Sequence, residues 1–288
     1  MRKITFWSFI LSTSFWLTAC SGVQILNNLA PRIGIERIAD IGFQNKPHSL
    51  QLDIYRPTGN LKKDMPVVIF YWGGRWQEGD KSMYQFLGRE LAKQGIITVI
   101  PNYRLWPQVG YKEFLSDSAD ALNWVYSQIE NYSGDSNRIF VMGHSAGAYN
   151  AVMLALNTPF NPNPQRTLAG AIGISGPYDF LPFADDEQDL KEIFAPAKQY
   201  ADSQPINWVD GKNAPLLLIH SLDDDIVYAK NSQNLAHKIQ DYGGQSELLL
   251  TKNLSHAMSI GVVSNLLAWK APTTERIIDF IARQNQQN

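Results

Sequence analysis

Arg138-Ile139-Phe140-Val141-Met142-Gly143-His144-Ser145-Ala146-Gly147, running on through Ala148-Tyr149-Asn150 to Leu156, is the stretch on which the reading of this chain turns. Arg138–Met142 is a short, largely apolar run, as expected of a strand covered on both faces. Ala146–Leu156 has the composition of a helix, so Gly143-His144-Ser145-Ala146-Gly147 falls on a strand-to-helix turn. A G-x-S-x-G sequence in that context needs small flanking residues, because the turn is sharp and lifts the serine hydroxyl clear of the sheet. Ser145 is therefore a candidate nucleophile. Ala146, opening the helix, would aim its N–H where an oxyanion could form, aided by the helix N-terminus.

Working outward, the same alternation recurs. Pro66–Tyr71, Ile96–Pro101, Gly170–Ser175 and Pro215–His220 are apolar runs rich in Val, Ile and Leu, while Ser49–Arg56 alternates with period two like a half-buried antiparallel strand. Met83–Lys93, Phe114–Gln128, Asn231–Tyr242 and Thr274–Arg283 carry helical patterns. The alternation predicts an α/β fold: one domain over residues 49–288, with a mostly parallel, doubly wound sheet and helices on both faces. Residues 20–48 are expected to be an N-terminal tether. Asn157–Thr167, with three prolines and three asparagines, reads as a loop. Residues 180–213, with two acidic clusters, several prolines and one weak helix near Gln188–Tyr200, form a candidate lid or substrate insertion after a strand end.

Composition narrows the function. The chain has 288 residues, 44% of them hydrophobic and 18% charged, enough for a sizeable core and against disorder. A formal net charge of -2 without a basic stripe gives no nucleic-acid footprint. One cysteine allows neither an internal disulfide framework nor a cysteine zinc cluster. The sequence has no P-loop, dinucleotide fingerprint or metal-spaced histidine cluster, so it implies no cofactor and no metal. Nothing in it bears on oligomeric state.

A serine hydroxyl is a poor nucleophile until a base removes its proton, and on this architecture the order is serine, then acid, then histidine. Of the histidines after Ser145, His220 ends an apolar run and His237 lies within a helix, whereas His256 follows the strand-like Glu247–Thr251 in a loop. Loops beyond strand C-termini collect catalytic side chains, which selects His256 as the base. The acid should lie after Pro215–His220, where Asp223, Asp224 and Asp225 stand together; the residues alone leave all three open.

These motifs together resemble the α/β-hydrolase superfamily, most closely its carboxylesterase and hormone-sensitive-lipase-like esterase branch. The likeness extends from about Leu50 to His256. His220-Ser221-Leu222-Asp223-Asp224-Asp225-Ile226-Val227-Tyr228 is similar to the family's His-Gly-x-x-Asp-x-x-Val-Pro loop, and the overlay implies that Asp224 is the acid, with Asp223 the alternative. Trp72-Gly73-Gly74-Arg75-Trp76 resembles the family's His-Gly-Gly-x-Trp oxyanion loop, with Trp72 where the family has histidine. The resemblance implies an oxyanion hole from the backbone N–H groups of Gly74, Arg75 and Ala146. Asn102-Tyr103-Arg104-Leu105-Trp106-Pro107 is similar to a structural Tyr-Arg-Leu-Ala-Pro segment.

At the N-terminus Arg2 and Lys3 precede a mostly apolar stretch, Ile4–Ala19, the pattern of a signal peptide over residues 1–19. Leu17-Thr18-Ala19-Cys20 resembles the lipobox of bacterial lipoproteins, which implies lipidation of Cys20, the chain's one cysteine. Ser21 in the next position implies the outer membrane, facing the periplasm. The expectation is a lipid-anchored envelope serine hydrolase acting on small-molecule esters. Its rivals are an arylformamidase, amidase or peptidase on the same machinery, and a non-catalytic binding module.

Overall fold

The side chains of β3 (Met65–Tyr71) show why the strands are buried twice over. Val67, Ile69 and Tyr71 enter one hydrophobic cluster, while Val68 and Phe70 enter another on the opposite face. With a period of two and no polar residue in either set, both faces need a cover of helices. The computed structural model describes residues 22–44, 50–59, 64–156, 158–163 and 166–284.

The remaining strands are β1 (Ile35–Gly42), β2 (Gln51–Pro57), β4 (Ile97–Pro101), β5 (Gly134–His144), β6 (Gly170–Ile174), β7 (Leu216–Ser221) and β8 (Ser246–Thr251). They form one eight-stranded sheet in the order β1-β2-β4-β3-β5-β6-β7-β8. β1, β2 and β4 pair antiparallel, and every pair from β4–β3 to β7–β8 is parallel. The helices are α1 (residues 22–29), α2 (Gln85–Lys93), α3 (Tyr111–Gln128), α4 (Ala146–Ala155), α5 (Gln188–Phe194), α6 (Lys230–Asp241), α7 (His256–Gly261) and α8 (Thr273–Gln284). Leu122 and Val125 of α3, Ala151 and Val152 of α4 and Leu235 and Ile239 of α6 pack with Val67 and Ile69; Phe86 and Leu91 of α2 and Ile277 and Phe280 of α8 pack with Val68 and Phe70.

Two expectations are corrected. Residues 20–48 are not all tether: α1 and β1 belong to the body. Leu26 and Ala30 are buried, and Asn27 is bonded to Ser82 O, Met83 O and Phe86 N, which fastens α1 to the start of α2. β1 escaped the sequence reading because it is an edge strand with mixed burial, and its alternation is broken between Ile38 and Ile41 by a bulge at Asp40 (φ 58°). His256 does not sit in a loop. It is the first residue of α7, where Ser255 Oγ accepts from Met258 N as the N-cap. The signal segment 1–19 and Cys20 lie outside the described residues.

Candidate active site

Ser145 occupies the junction of β5 and α4 with φ 54° and ψ −125°, a left-handed conformation that L side chains avoid. The turn closes so tightly that a Cβ on Gly143 would lie 2.1 Å from Gly147 O, and one on Gly147 would lie 2.0 Å from Tyr71 O. Both glycines are therefore steric requirements, as the spacing predicts. Ser145 N donates to Ile174 O (2.9 Å), which ties the turn to the end of β6.

Side chains from three strand ends converge here. His256 Nε2 lies 2.8 Å from Ser145 Oγ, and His256 Nδ1 lies 2.8 Å from Asp224 Oδ2 and 3.1 Å from Oδ1. The side chain of Asp224 is fully buried in the turn after β7. Its Oδ1 accepts the N–H groups of Ile226 (3.1 Å) and Val227 (3.0 Å). Burial acts to raise the pKa of Asp224, but the bonds from His220, His256 and Val227 N outweigh it and hold the carboxyl well below the usual carboxylate range. Asp224 therefore stays ionised. Buried His220 stands behind it, with Nδ1 2.7 Å from Ser232 Oγ, and Nε2 2.7 Å from Val227 O and 3.5 Å from Asp224 Oδ2.

Of the three aspartates the sequence left open, only Asp224 reaches His256 among the described residues. Asp223 turns the other way: its Oδ2 accepts from Asn253 N (2.7 Å), clipping the acid loop to the turn that precedes α7. Asp225 is exposed.

The Trp72–Trp76 loop lies against the serine. A Cβ on Gly73 would come within 2.9 Å of Ser145 Cβ, so only glycine allows this approach. Gly74 (φ 142°), Arg75 (φ 53°) and Trp76 (φ 60°) all take positive φ. Gly74 O accepts from Gln77 N (3.0 Å) and Glu78 N (3.1 Å), which closes the turn, while the N–H groups of Gly74, Arg75 and Ala146 enter none of the turn and cap bonds among the described residues. Trp72 is held where the family uses histidine: its Nε1 donates to Pro101 O (2.9 Å), its ring stacks on Tyr103 (centroids 4.1 Å apart), and its carbonyl accepts from Tyr103 Oη (2.7 Å). The Asn102–Pro107 segment braces the loop again through Trp106 N and Trp76 O (2.9 Å).

Residues 180–213 are anchored on this loop. Asp189, on α5, receives Arg75 Nε (2.7 Å) and Nη2 (3.0 Å) together with Gln77 Nε2 (2.7 Å). The bonds from Arg75 push the carboxyl down to about 2. Phe194 packs edge-on to Trp76 (5.1 Å), which also meets Tyr149 edge-on (5.2 Å) and donates from Nε1 to Asn150 Oδ1 (3.1 Å). The sequence assigned Arg75 only a backbone role. The partnership of its guanidinium with Asp189, 114 positions away, has no local signature.

Comparison with known proteins agrees with this architecture. Residues 52–239 match the BD-FAE family. The chain is 30% identical over 227 residues to the probable isoprenylcysteine alpha-carbonyl methylesterase of Oryza sativa subsp. japonica, covering 72% of this chain and 55% of that protein. It is 27% identical to esterase LipC of Mycobacterium tuberculosis (66% and 52% covered) and 29% identical to kynurenine formamidase of Salmo salar (67% and 63%). The chain thus spans about half the length of the first two. Among solved structures, esterase B of Lactobacillus rhamnosis superposes with a TM-score of 0.77 at 18% identity (97% and 96% covered), and a truncated carbohydrate esterase from gut microbiota with 0.73 at 17% (89% and 99%). The sheet order, the strand-to-helix turn at Ser145 and the family match lead to one assignment: the chain has the α/β-hydrolase fold and belongs to the BD-FAE family.

Proposed function

We propose that this protein is a serine carboxylic-ester hydrolase working through Ser145, His256 and Asp224. The observation that carries the reading is the unbroken relay of 2.8 Å contacts from Ser145 Oγ to His256 Nε2 and from His256 Nδ1 to Asp224 Oδ2, set on a strained turn at the strand ends. With the Asp224 carboxylate accepting from Nδ1–H, His256 Nε2 is the free base that takes the serine proton. Ser145 Oγ attacks the ester carbonyl carbon. The carbonyl oxygen becomes an oxyanion facing the N–H groups of Gly74, Arg75 and Ala146, the last at the positive end of α4. The tetrahedral adduct expels the alcohol, which leaves with the proton from His256. Water, deprotonated by the same imidazole, then attacks the acyl-serine and releases the acid.

The identity to esterases and a methylesterase supports an ester substrate; that to kynurenine formamidase keeps an arylformamide in view. Hydrolysis of p-nitrophenyl esters of graded acyl length, run beside N-formylkynurenine, separates the two. A fluorophosphonate probe should label the parent and fail to label Ser145→Ala; labelling that survives the substitution rejects the mechanism.

We further propose that Cys20 is lipidated and holds the enzyme in the bacterial envelope, on the strength of Leu17-Thr18-Ala19-Cys20 after an apolar segment. Stable anchoring takes more than one acyl chain, because a single chain binds membranes only marginally. Mass spectrometry of the N-terminal peptide should show acyl mass on Cys20, and Cys20→Ser should leave the membrane fraction. An unmodified cysteine in the parent rejects this.

A further inference from the structure

His144, the first of the two variable residues of the G-x-S-x-G turn, ends β5 and is buried. Its Nε2 lies 3.1 Å from the main-chain oxygen of His256. A carbonyl only accepts, so Nε2 carries the ring proton and Nδ1 is bare. Nδ1 is itself buried and has no hydrogen-bond partner among the described residues; it packs against Gly73, where a Cβ would approach it to 3.2 Å. Burying a ring nitrogen without a protein partner costs free energy that an apolar side chain would avoid. Among the described residues, the bond to the His256 carbonyl is the side-chain hydrogen bond that His144 makes in return.

We infer that His144 is a positioning residue for the base: by holding the His256 carbonyl at the first residue of α7, it fixes the backbone from which the imidazole reaches between Ser145 and Asp224. The inference rests on the hydrolase reading above. The two rings are 4.8 Å apart and inclined by 37°, so the imidazolium formed during acylation lies beside His144. A second cation there would oppose it. Burial first, and the proximity of His256 next, push His144 down to about 3, with Asp224 and His220 the other charged or titratable groups acting on it. It stays neutral wherever His256 is a working base.

The test compares His144→Leu, which has no donor, with His144→Gln, whose amide can still reach the carbonyl. Displacing a reacting group by about 1 Å can cost about a hundredfold, so His144→Leu should lower kcat by about ten- to a hundredfold with KM little changed. His144→Gln should recover most of the loss. Loosening His256 from Asp224 also stabilises the imidazolium less, so in His144→Leu the acid limb of the kcat/KM profile should move to lower pH, and the low-field Nδ1 proton of His256 should shift upfield or broaden. A purely structural role would lower Tm and leave the acid limb in place. If His144→Leu does not fold, His144→Asn, whose amide stops short, replaces it in the comparison. Parent-like kcat and pH profile in the donorless variant, or no advantage of Gln over it, overturns the inference. Failure of the hydrolase reading looks different: Ser145→Ala would then still take the fluorophosphonate label, whatever His144 does.

Discussion

Two polar networks, each centred on a buried aspartate, invite comparison. One joins Ser145, His256, Asp224 and His220 beyond the parallel strands; the other joins Arg37, Asp40, Asp53 and Lys81 at the antiparallel edge. In the second, Lys81 Nζ lies 2.6 Å from both Asp40 Oδ1 and Asp53 Oδ1, and Arg37 Nη2 lies 2.7 Å from Asp53 Oδ2. Asp53 Oδ1 also accepts from Asp40 N (3.0 Å), and Oδ2 from Tyr55 Oη (3.3 Å). Burial would lower the pKa of Lys81, but its two carboxylate partners outweigh that and raise it. Every carboxylate oxygen of Asp53 is engaged, and the network bonds the bulge of β1 to β2 and to the turn before α2. The Ser145 network is built from similar chemistry but left open at one end. Its serine is strained and partly exposed, and the neighbouring His144 Nδ1 has no hydrogen-bond partner among the described residues. A network that closes all its bonds serves the fold; one that ends on a strained, partly exposed serine hydroxyl has the makings of a reactive site.

That contrast is open to attack, beginning with its largest consequence. Ser145→Ala should cut ester turnover by about 10⁶-fold, the size of loss seen when the nucleophile of a serine protease is removed, while Tm stays within a few degrees. Steady-state rates beside a thermal melt check it, and a large fall in Tm would make the serine turn structural after all. Next, Asp224→Asn keeps the shape but favours the wrong imidazole tautomer, so kcat/KM should fall by about 10²–10⁴-fold. Asp225→Asn should stay within about twofold, and Asp223→Asn within about tenfold, because the Asp223 carboxylate accepts from the Asn253 backbone and not from the imidazole. A larger loss at Asp223 than at Asp224 would contradict the geometry.

The structural network should show the reverse profile. Lys81→Met strips one partner from buried Asp53 and should cost about 3 kcal/mol of stability, the low end for a broken buried pair because Arg37 remains. Its kcat should stay near parent, as read by urea melts beside esterase assays; a kinetic loss without a stability loss would join the two networks functionally. The smallest effect concerns the Arg75–Asp189 clamp. The folded-state pKa of Asp189, about 2, lies below its unfolded value near 4. Its contribution is therefore complete above about pH 4 and is lost as pH falls through about 2. Both side chains are partly exposed, so screening limits it to less than about 1 kcal/mol. Melts between pH 5 and 2 should show that extra acid sensitivity in the parent and not in Asp189→Asn.

How much of the site was legible follows from how local each signal was. Ser145 and its glycines lie in five consecutive residues, and a Cβ on either glycine would meet a backbone oxygen at 2.1 or 2.0 Å. His256 was found by elimination, and Asp224 only through a family overlay, since neighbouring aspartates have the same chemistry and differ only in direction. The role of Asp223 as a clip to Asn253 had no sequence signal, and neither did the bond from His144 to the His256 carbonyl, which spans 112 positions. Trp72 departs from the family's histidine, and its support comes from bonds with Pro101 and Tyr103 that only the fold brings within reach.

The sequence by itself determined the α/β alternation, the strand-to-helix turn and the place of Ser145 on that turn, because each rests on periodicity or on steric demands between near neighbours. Tertiary structure alone decided which aspartate faces the imidazole, how Arg75 clamps residues 180–213 and that β1 joins the sheet edge. Those outcomes depend on the direction of side chains brought together from distant parts of the chain, and direction is set by packing, which no local pattern encodes.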